Sequence, residues 1–580
     1  MHIPCARAAT AIRLLLVRHE SAALVRTPSE QELPPPPPAR AERLRALASE
    51  AFDVLIIGGG VTGAGTARDA ALRGLRVALV ERDDFASGTS SRSSRLIHGG
   101  VRYLEHGHLG LVFESSIERM RLLRLAPHLV RPLAFTWPVY KGARIPRWKL
   151  NAGLMLYDAL ALFRNVKAHR SLNARQVLAT EPQLRPDGLK GGACYYDAAT
   201  DDARLTFANA LGASEAGAVV LNHASVRQLF IEEGKARGAV VVDHLSGQEI
   251  TVHARALVNA TGPWSDEIRK LDTPRETPAV RGSKGVHIAV PRERLGNREA
   301  LTLLSPVDGR VMFVLPADKH TIIGTTETST RAHPAEVRAS EADVEYLLAS
   351  ANAFFPEAKL VRADVVSAWA GIRPLVASGY TQAGGAGSAS REHVIDFSPS
   401  GVIAISGGKL TTYRVMARDV VNAVERQLDV SHRKPVTETL PLPGGDLRSV
   451  DAELEAALPE VGHADMALHL VRAYGNRWRQ VWRLAHEEVS LARPLVQGLP
   501  YLRAEAAHGV SHEFVHTLAD LLIRRLKVAF ETRDQGAEAA RAAAEVMAPL
   551  LGWDSAETQR QLEAYTHDAG RIFNVDPADG

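Results

Sequence analysis

The run from Asp53 to Glu81 constrains the fold more than any other part of this 580-residue chain. Val54-Leu55-Ile56-Ile57 is an unbroken apolar run of the kind that forms a strand buried on both faces. Gly58-Gly59-Gly60-Val61-Thr62-Gly63 follows at once, then an Ala-rich helix over about 61–73, then a second strand, Arg76-Val77-Ala78-Leu79-Val80, ended by Glu81. Strand, G-x-G-x-x-G, helix, strand and acid in this order make the βαβ unit that seats a dinucleotide. Gly58, Gly60 and Gly63 let the backbone approach a pyrophosphate at the helix N-terminus, where unpaired N–H groups and the helix dipole attract anionic oxygens. Glu81 can accept hydrogen bonds from the adenosine ribose, which favours a ribose without a phosphate. NAD and FAD share this fingerprint, so it leaves both open.

Downstream segments point to FAD. Ser87-Gly88-Thr89-Ser90-Ser91-Arg92-Ser93-Ser94 is a hydroxyl-rich loop suited to wrapping a pyrophosphate, with Ser90, Ser91 and Ser94 as candidate ligands. Asn259-Ala260-Thr261-Gly262 leaves a strand, and Gly407-Gly408-Lys409-Leu410-Thr411-Thr412 enters a helix. Several returns to one cofactor are what a long flavin held along its whole length requires. Ala260, Thr261, Gly262, Gly408, Lys409, Leu410 and Thr411 are therefore candidate cofactor contacts.

The chain is long enough for three or four lobes. Its 46% hydrophobic and 23% charged residues exclude global disorder and fibrous structure. Lys and Arg (69) nearly balance Asp and Glu (66), so a dedicated nucleic-acid binder is not expected. Cys5 and Cys194 match neither a disulfide framework nor a metal pattern, and no metal site is expected; a reducing compartment fits. No segment is long and apolar enough to span a bilayer, which leaves surface attachment open.

Residues 1–50 read as an N-terminal extension, expected to be disordered: an Arg-rich, acid-poor start that suits a transit peptide or an incidental extension, then the stiff proline run Pro34 to Pro38. Residues 51–440 read as a Rossmann-like α/β region. Its FAD-binding lobe comprises about 51–130, 195–220, 255–265 and 365–430, with a substrate lobe inserted between. Strand-like runs at 226–231, 239–243, 250–254, 257–259, 286–290, 311–315 and 321–324 predict an antiparallel sheet for that insertion. After the linker Leu440 to Gly445, residues 446–580 predict a C-terminal α-helical domain.

Three segments together carry a resemblance. Ser90-Ser91-Arg92-Ser93-Ser94-Arg95-Leu96-Ile97-His98-Gly99-Gly100-Val101-Arg102-Tyr103-Leu104-Glu105, Gly371-Ile372-Arg373-Pro374-Leu375 and Gly407 to Arg414 resemble the FAD-dependent, respiratory glycerol-3-phosphate dehydrogenases. The likeness runs from about Asp53 into the C-terminal helices. Arg95 departs from it, standing where the family carries Lys, with charge kept and geometry changed. The resemblance implies oxidation of sn-glycerol 3-phosphate to dihydroxyacetone phosphate, with hydride passing from C2 to the flavin and electrons onward to a membrane quinone.

That reaction requires cations for the phosphate, an ordered glycerol end and a proton acceptor. The resemblance assigns Arg373 and Arg391 to the phosphate, and Arg102 and Tyr103 to the glycerol end. His98, ahead of His287, is the candidate base, because imidazole titrates near neutrality. Lys409 is placed to stabilise negative charge on the flavin or to touch substrate. Two superfamily alternatives remain, an amine or amino-acid oxidase and an oxygen-using glycerol-phosphate oxidase, together with a non-catalytic flavin-binding assembly protein.

A quinone acceptor implies a peripheral position, expected on the inner face of a bacterial cytoplasmic membrane, with a mitochondrial location as the alternative. Residues 137–163 interleave Trp148, Leu154, Met155, Leu156 and Phe163 with Lys141, Arg144, Arg147 and Lys149, a composition suited to anionic lipid. Leu518 to Phe530, with Arg524, Arg525 and Lys527, is expected to be a second contact or the surface of a homodimer.

Overall fold

Val54, Leu55 and Ile56 are fully buried because Ala51–Ile57 lies in the interior of a parallel sheet. It pairs with Glu249–Asn259 on one side and Val77–Val80 on the other. The strand order is His393–Phe397, Ile403–Gly407, Glu249–Asn259, Ala51–Ile57, Val77–Val80, Val219–Leu221, with only the first pair antiparallel. The computed structural model describes residues 34–273, 280–376 and 392–577. The helix Val61–Leu72 packs on this sheet between Asp202–Glu215 and Tyr413–Leu428. Small residues such as Ala64, Ala67 and Ala70, all fully buried, let these helices close tightly.

The opposite face of the sheet is covered by the helix Arg40–Ser49 and the hairpin Ala224–Glu232/Lys235–Asp243. Both differ from the sequence expectation. Residues 40–49 are not a disordered extension: Leu47 is fully buried, Arg43 Nη1 donates to the Val220 carbonyl at 2.8 Å, and Arg40 pairs with Asp243. The polar run had hidden a helix whose arginines are spent on the sheet. The hairpin does not belong to the substrate sheet. Lys235–Asp243 pairs with Glu249–Asn259, so it extends the nucleotide sheet. Glu249–Asn259 is one strand rather than two, because Arg255 points outward to Asp53 without breaking it (3.3 Å).

The second sheet is a mixed ten-stranded one in which Val280–Pro291 pairs with both His320–Gly324 and Ser367–Val376, and Val130–Tyr140 pairs with Leu189–Thr200. Period-two alternation divides its strands between two cores. Cys194, Tyr196, Val286 and Ile288 face the helix Glu341–Phe354, whereas Tyr195, Phe135, Trp137 and Trp369 share a core with the C-terminal helices. Phe530 meets Trp369 edge-on at 5.2 Å, and Phe573 meets Phe530 at 4.8 Å.

Two predicted contact surfaces change accordingly. Leu518 to Phe530 is interior, not a dimer or lipid surface: Leu518 and Leu522 are fully buried, and Arg524 and Arg525 are turned inward onto Asp84. In the 137–163 stretch, Trp137 and Leu154 are core residues, while Trp148, Met155 and Phe163 are 73%, 60% and 72% exposed. Among the described residues no helix is long and apolar enough to cross a membrane.

Candidate functional site

The strand Ala51–Ile57 ends in Gly58 at φ 105°, where a Cβ would stand 2.8 Å from the Ala260 carbonyl oxygen. Only glycine permits that approach of two strand exits. A Cβ on Gly63 would strike the Gly58 carbonyl, so Gly63 seats the helix beneath the turn rather than lining the cleft. Gly60 precedes the first turn of Val61–Leu72, and the Val61 N–H donates to Ser90 Oγ at 3.0 Å. Glu81 accepts from the Gly59 N–H (2.6 Å) and the Asp83 N–H (2.9 Å). Burial, and then the charge of Asp83, pushes its carboxyl up to about 7.

These groups line a cleft of about 210 Å³, with Gly58, Gly60, Glu81 and Ser90 on one wall. Ala260, Thr261 and Gly262, from the adjoining strand exit, and Gly408, Lys409 and Leu410 also line it. A glycine cradle, a helix N-terminus, a carboxylate at the end of the second strand and two further strand exits fit the phosphates and sugar of FAD. Ser91, Ser94 and Thr411 do not line the cleft. Ser91 turns to the Gly88 carbonyl (3.5 Å), and Thr411 Oγ1 lies 3.1 Å from the His98 nitrogen that donates to it. Trp264, which no sequence motif marked, also lines the cleft, with the Arg82 guanidinium 5.2 Å from its ring centroid.

A second cavity of about 140 Å³ is lined by Ser94, His98, Tyr103, Asp197, Thr325 and Arg373, among others. Arg373 lies on Ser367–Val376 opposite Ser283, and its Nη2 donates to Thr325 Oγ1 at 3.1 Å. His98 follows the short strand Leu96–Ile97, and its main chain is pinned by Thr411. Lys409, from the FAD cleft, places Nζ 3.9 Å from the Tyr103 ring centroid and 3.3 Å from Ser115 Oγ.

His287 does not line this cavity. It is 2% exposed, stacks on Trp369 (5.5 Å, 15°) and lies 2.9 Å from Ser94 Oγ. Burial, then the charges of Arg373 and Arg95, pushes its imidazole down to about 3, so it is neutral at physiological pH. Arg95, the departure from the family pattern, lays its guanidinium 4.6 Å from the Phe530 ring centroid, a contact suited to a planar cation. Arg391 and the side chain of Arg102 lie outside the described residues. Asp197 was not foreseen; it accepts from Tyr157 Oη (2.6 Å), the Gly99 N–H (3.1 Å) and Arg119.

Comparison with known proteins agrees with this geometry. Residues 53–414 match the FAD dependent oxidoreductase family, and residues 435–558 match the C-terminal domain of alpha-glycerophosphate oxidase. The chain is 41% identical over 537 residues to glycerol-3-phosphate dehydrogenase 2 of Mycobacterium tuberculosis, covering 91% of this chain and 90% of that protein. It is 39% identical to the human mitochondrial glycerol-3-phosphate dehydrogenase, covering 91% of this chain and 74% of the relative. The crystal structure of the Bacillus halodurans glycerol-3-phosphate dehydrogenase complexed with FAD superimposes with a TM-score of 0.77 at 34% identity, covering 93% of this chain and 98% of that one. The chain belongs to the FAD-dependent oxidoreductases and, within them, to the glycerol-3-phosphate dehydrogenases.

Proposed function

We propose that this protein oxidises sn-glycerol 3-phosphate to dihydroxyacetone phosphate in the 140 Å³ cavity and passes the electrons to a membrane quinone. The observation that carries the reading is the convergence of Arg373, His98 and Tyr103 on one cavity whose Tyr103 is touched by Lys409 from the FAD cleft. Arg373 binds the substrate phosphate, Arg391 joins it, and Arg102 stands at the glycerol end, the last two on the strength of the family resemblance. Tyr103 orders the glycerol end. The chemistry that bound FAD supplies is acceptance of the two electrons that leave C2 as hydride. His98 takes the C2 hydroxyl proton, so that the carbonyl forms as the C–H bond breaks. Lys409 keeps a positive charge beside the reacting centre. Residues 51–440 form the catalytic region, and 446–580 the helical domain that backs it.

The helix Arg147–Leu160 and the turn after it supply the membrane contact. Exposed Trp148, Met155 and Phe163 lie in a segment that also carries Arg147 and Lys149, which suits the inner face of an anionic membrane. The deciding experiment is the visible spectrum of the purified protein before and after anaerobic glycerol 3-phosphate. Bleaching of the oxidised flavin, followed by reoxidation with a short-chain quinone in preference to oxygen, is expected. A flavin left oxidised rejects the dehydrogenase reading, and stoichiometric hydrogen peroxide in air rejects the quinone.

A further inference from the structure

Asp197 is 3% exposed and forms part of the cavity wall that holds His98 and Arg373. Among the described residues every hydrogen bond it accepts falls on one oxygen. Tyr157 Oη at 2.6 Å, the Gly99 N–H at 3.1 Å and Arg119 all converge on Oδ1. Among the described residues Oδ2 has no donor, although it is not among the sealed polar atoms that lack one. A carboxylate offers about four lone-pair sites, and the fixed side of this one is already saturated. The remaining oxygen belongs to a group held rigidly by its neighbours: Arg119 is itself buried and also receives support from Tyr157 at 2.7 Å. Such a rigidly held, one-sided acceptor keeps its second oxygen available to a donor that enters the cavity.

Resting on the proposed oxidation of glycerol 3-phosphate, we infer that Asp197 is a specificity residue whose Oδ2 accepts a hydrogen bond from a hydroxyl of the glycerol moiety. With Arg373 on the phosphate, the two groups read opposite ends of the substrate: one recognises an anion, the other a hydroxyl donor. A phosphate ester without hydroxyls satisfies Arg373 and leaves Asp197 idle. A site built around a hydroxyl partner discriminates strongly against ligands that lack it, because the buried acceptor is then left unpaired.

The test uses flavin-loaded full-length protein and Asp197→Asn. Because three donors converge on Oδ1, the amide oxygen takes that position and its NH2 faces the cavity, so an acceptor becomes a donor without change of shape. The dissociation constant for glycerol 3-phosphate is expected to rise about 10- to 100-fold, while that for ethyl phosphate, a competitive ligand without hydroxyls, stays unchanged. Equal weakening of both ligands, or no weakening of either, overturns the inference. Should the variant not load flavin, wild-type crystals soaked with glycerol 3-phosphate decide: a substrate hydroxyl within hydrogen-bond distance of Oδ2 supports it, and its absence there overturns it. Wild-type protein whose flavin ignores glycerol 3-phosphate would instead reject the proposed function, an outcome separate from either result.

Discussion

The Lys409 ammonium stands 3.9 Å from the centroid of the Tyr103 ring, and this contact joins the segment that lines the FAD cleft to the wall of the second cavity. Tyr103 is 7% exposed and Lys409 is half-buried, so the contact is partly withdrawn from water, which strengthens a cation–π pair. A charge held there acts on the reaction without having to be ordered by solvent at the moment of hydride transfer. Lys409→Met is expected to slow anaerobic flavin reduction by about 10²- to 10³-fold. Stopped-flow absorbance measures this directly, and an unchanged reduction rate removes Lys409 from the chemistry.

Arg373 is tied to the cavity wall through Thr325 and sits on a strand paired along its length with Val280–Pro291, so its guanidinium is presented by rigid structure. Arg373→Ala is expected to raise the Michaelis constant for glycerol 3-phosphate about 10- to 100-fold with flavin content unchanged. Wild-type kinetics in this variant would exclude Arg373 from substrate binding.

The two histidines separate by environment. His98→Gln is expected to slow single-turnover flavin reduction about 10²- to 10⁴-fold, more than it weakens binding. His287, pushed down to about 3, cannot account for any titration of activity near neutrality. A histidine lowered on folding costs stability as pH falls below its unfolded value, because the unfolded chain takes up the proton first. His287→Gln is therefore expected to leave the pH–rate profile near neutrality in place and to reduce the loss of thermal stability between pH 6.5 and 4. A neutral-range pH–rate limb that survives in His98→Gln and vanishes in His287→Gln reverses the assignment.

The cofactor cleft was legible because its determinants are local: Gly58 to Gly63, Glu81 and the Ser-rich loop lie within one βαβ unit and its exit. The wall of the second cavity was legible only in part. His98, Tyr103 and Arg373 sit in recognisable strings, whereas Asp197 and Thr325 are single residues on strands with no motif around them. Charge misled where the partner is distant. Arg524 and Arg525 look like a solvated basic patch in sequence, yet their carboxylate, Asp84, lies 440 and 441 residues earlier. The helix Arg40–Ser49 was missed for the same reason, since its arginines find their partners at Val220 and Asp243.

Glu81 is expected to give cofactor binding a pH dependence. With its carboxyl pushed up to about 7 by burial and by Asp83, a large fraction is protonated below neutrality and cannot accept from both a backbone N–H and a ribose hydroxyl. Flavin binding favours the ionised form, so the affinity of the apoprotein for FAD is expected to rise as pH increases through about 7 and then to level off. Glu81→Gln is expected to weaken FAD about 10-fold at pH 8 and to abolish the slope. Flavin fluorescence quenching between pH 5.5 and 8.5 measures both effects, and a wild-type affinity independent of pH would reject the role.

Asp84, three residues beyond Glu81, binds the C-terminal region to the FAD lobe. Arg525 grips it with two bonds of 2.7 and 2.9 Å, and Arg524 adds a third at 2.7 Å before reaching Asp520 at 2.8 Å. Asp520 also holds His223 at 2.9 Å, so Asp84, Asp520 and His223 meet in one cluster whose carboxylates are paired with the two arginines. Burial acts to raise the Asp84 carboxyl, but Arg525 and Arg524 outweigh it and hold it below the usual carboxylate range. A lowered acid contributes stability that is present above its unfolded pKa and is lost as pH falls through the folded value. Asp84→Ala leaves two buried guanidiniums without this partner and is expected to cost about 3–5 kcal/mol. The difference from wild type should be constant from pH 5.5 to 8 and should shrink only below about pH 4. Because Asp84 precedes the Ser87 to Ser94 loop directly, the same variant is expected to retain less FAD. Thermal unfolding of the apoprotein separates the two effects, and a variant as stable as wild type would show that the other contacts, Arg204 with Glu513 and Phe514 against Phe85 and Phe207, suffice to hold the helical region to the FAD lobe.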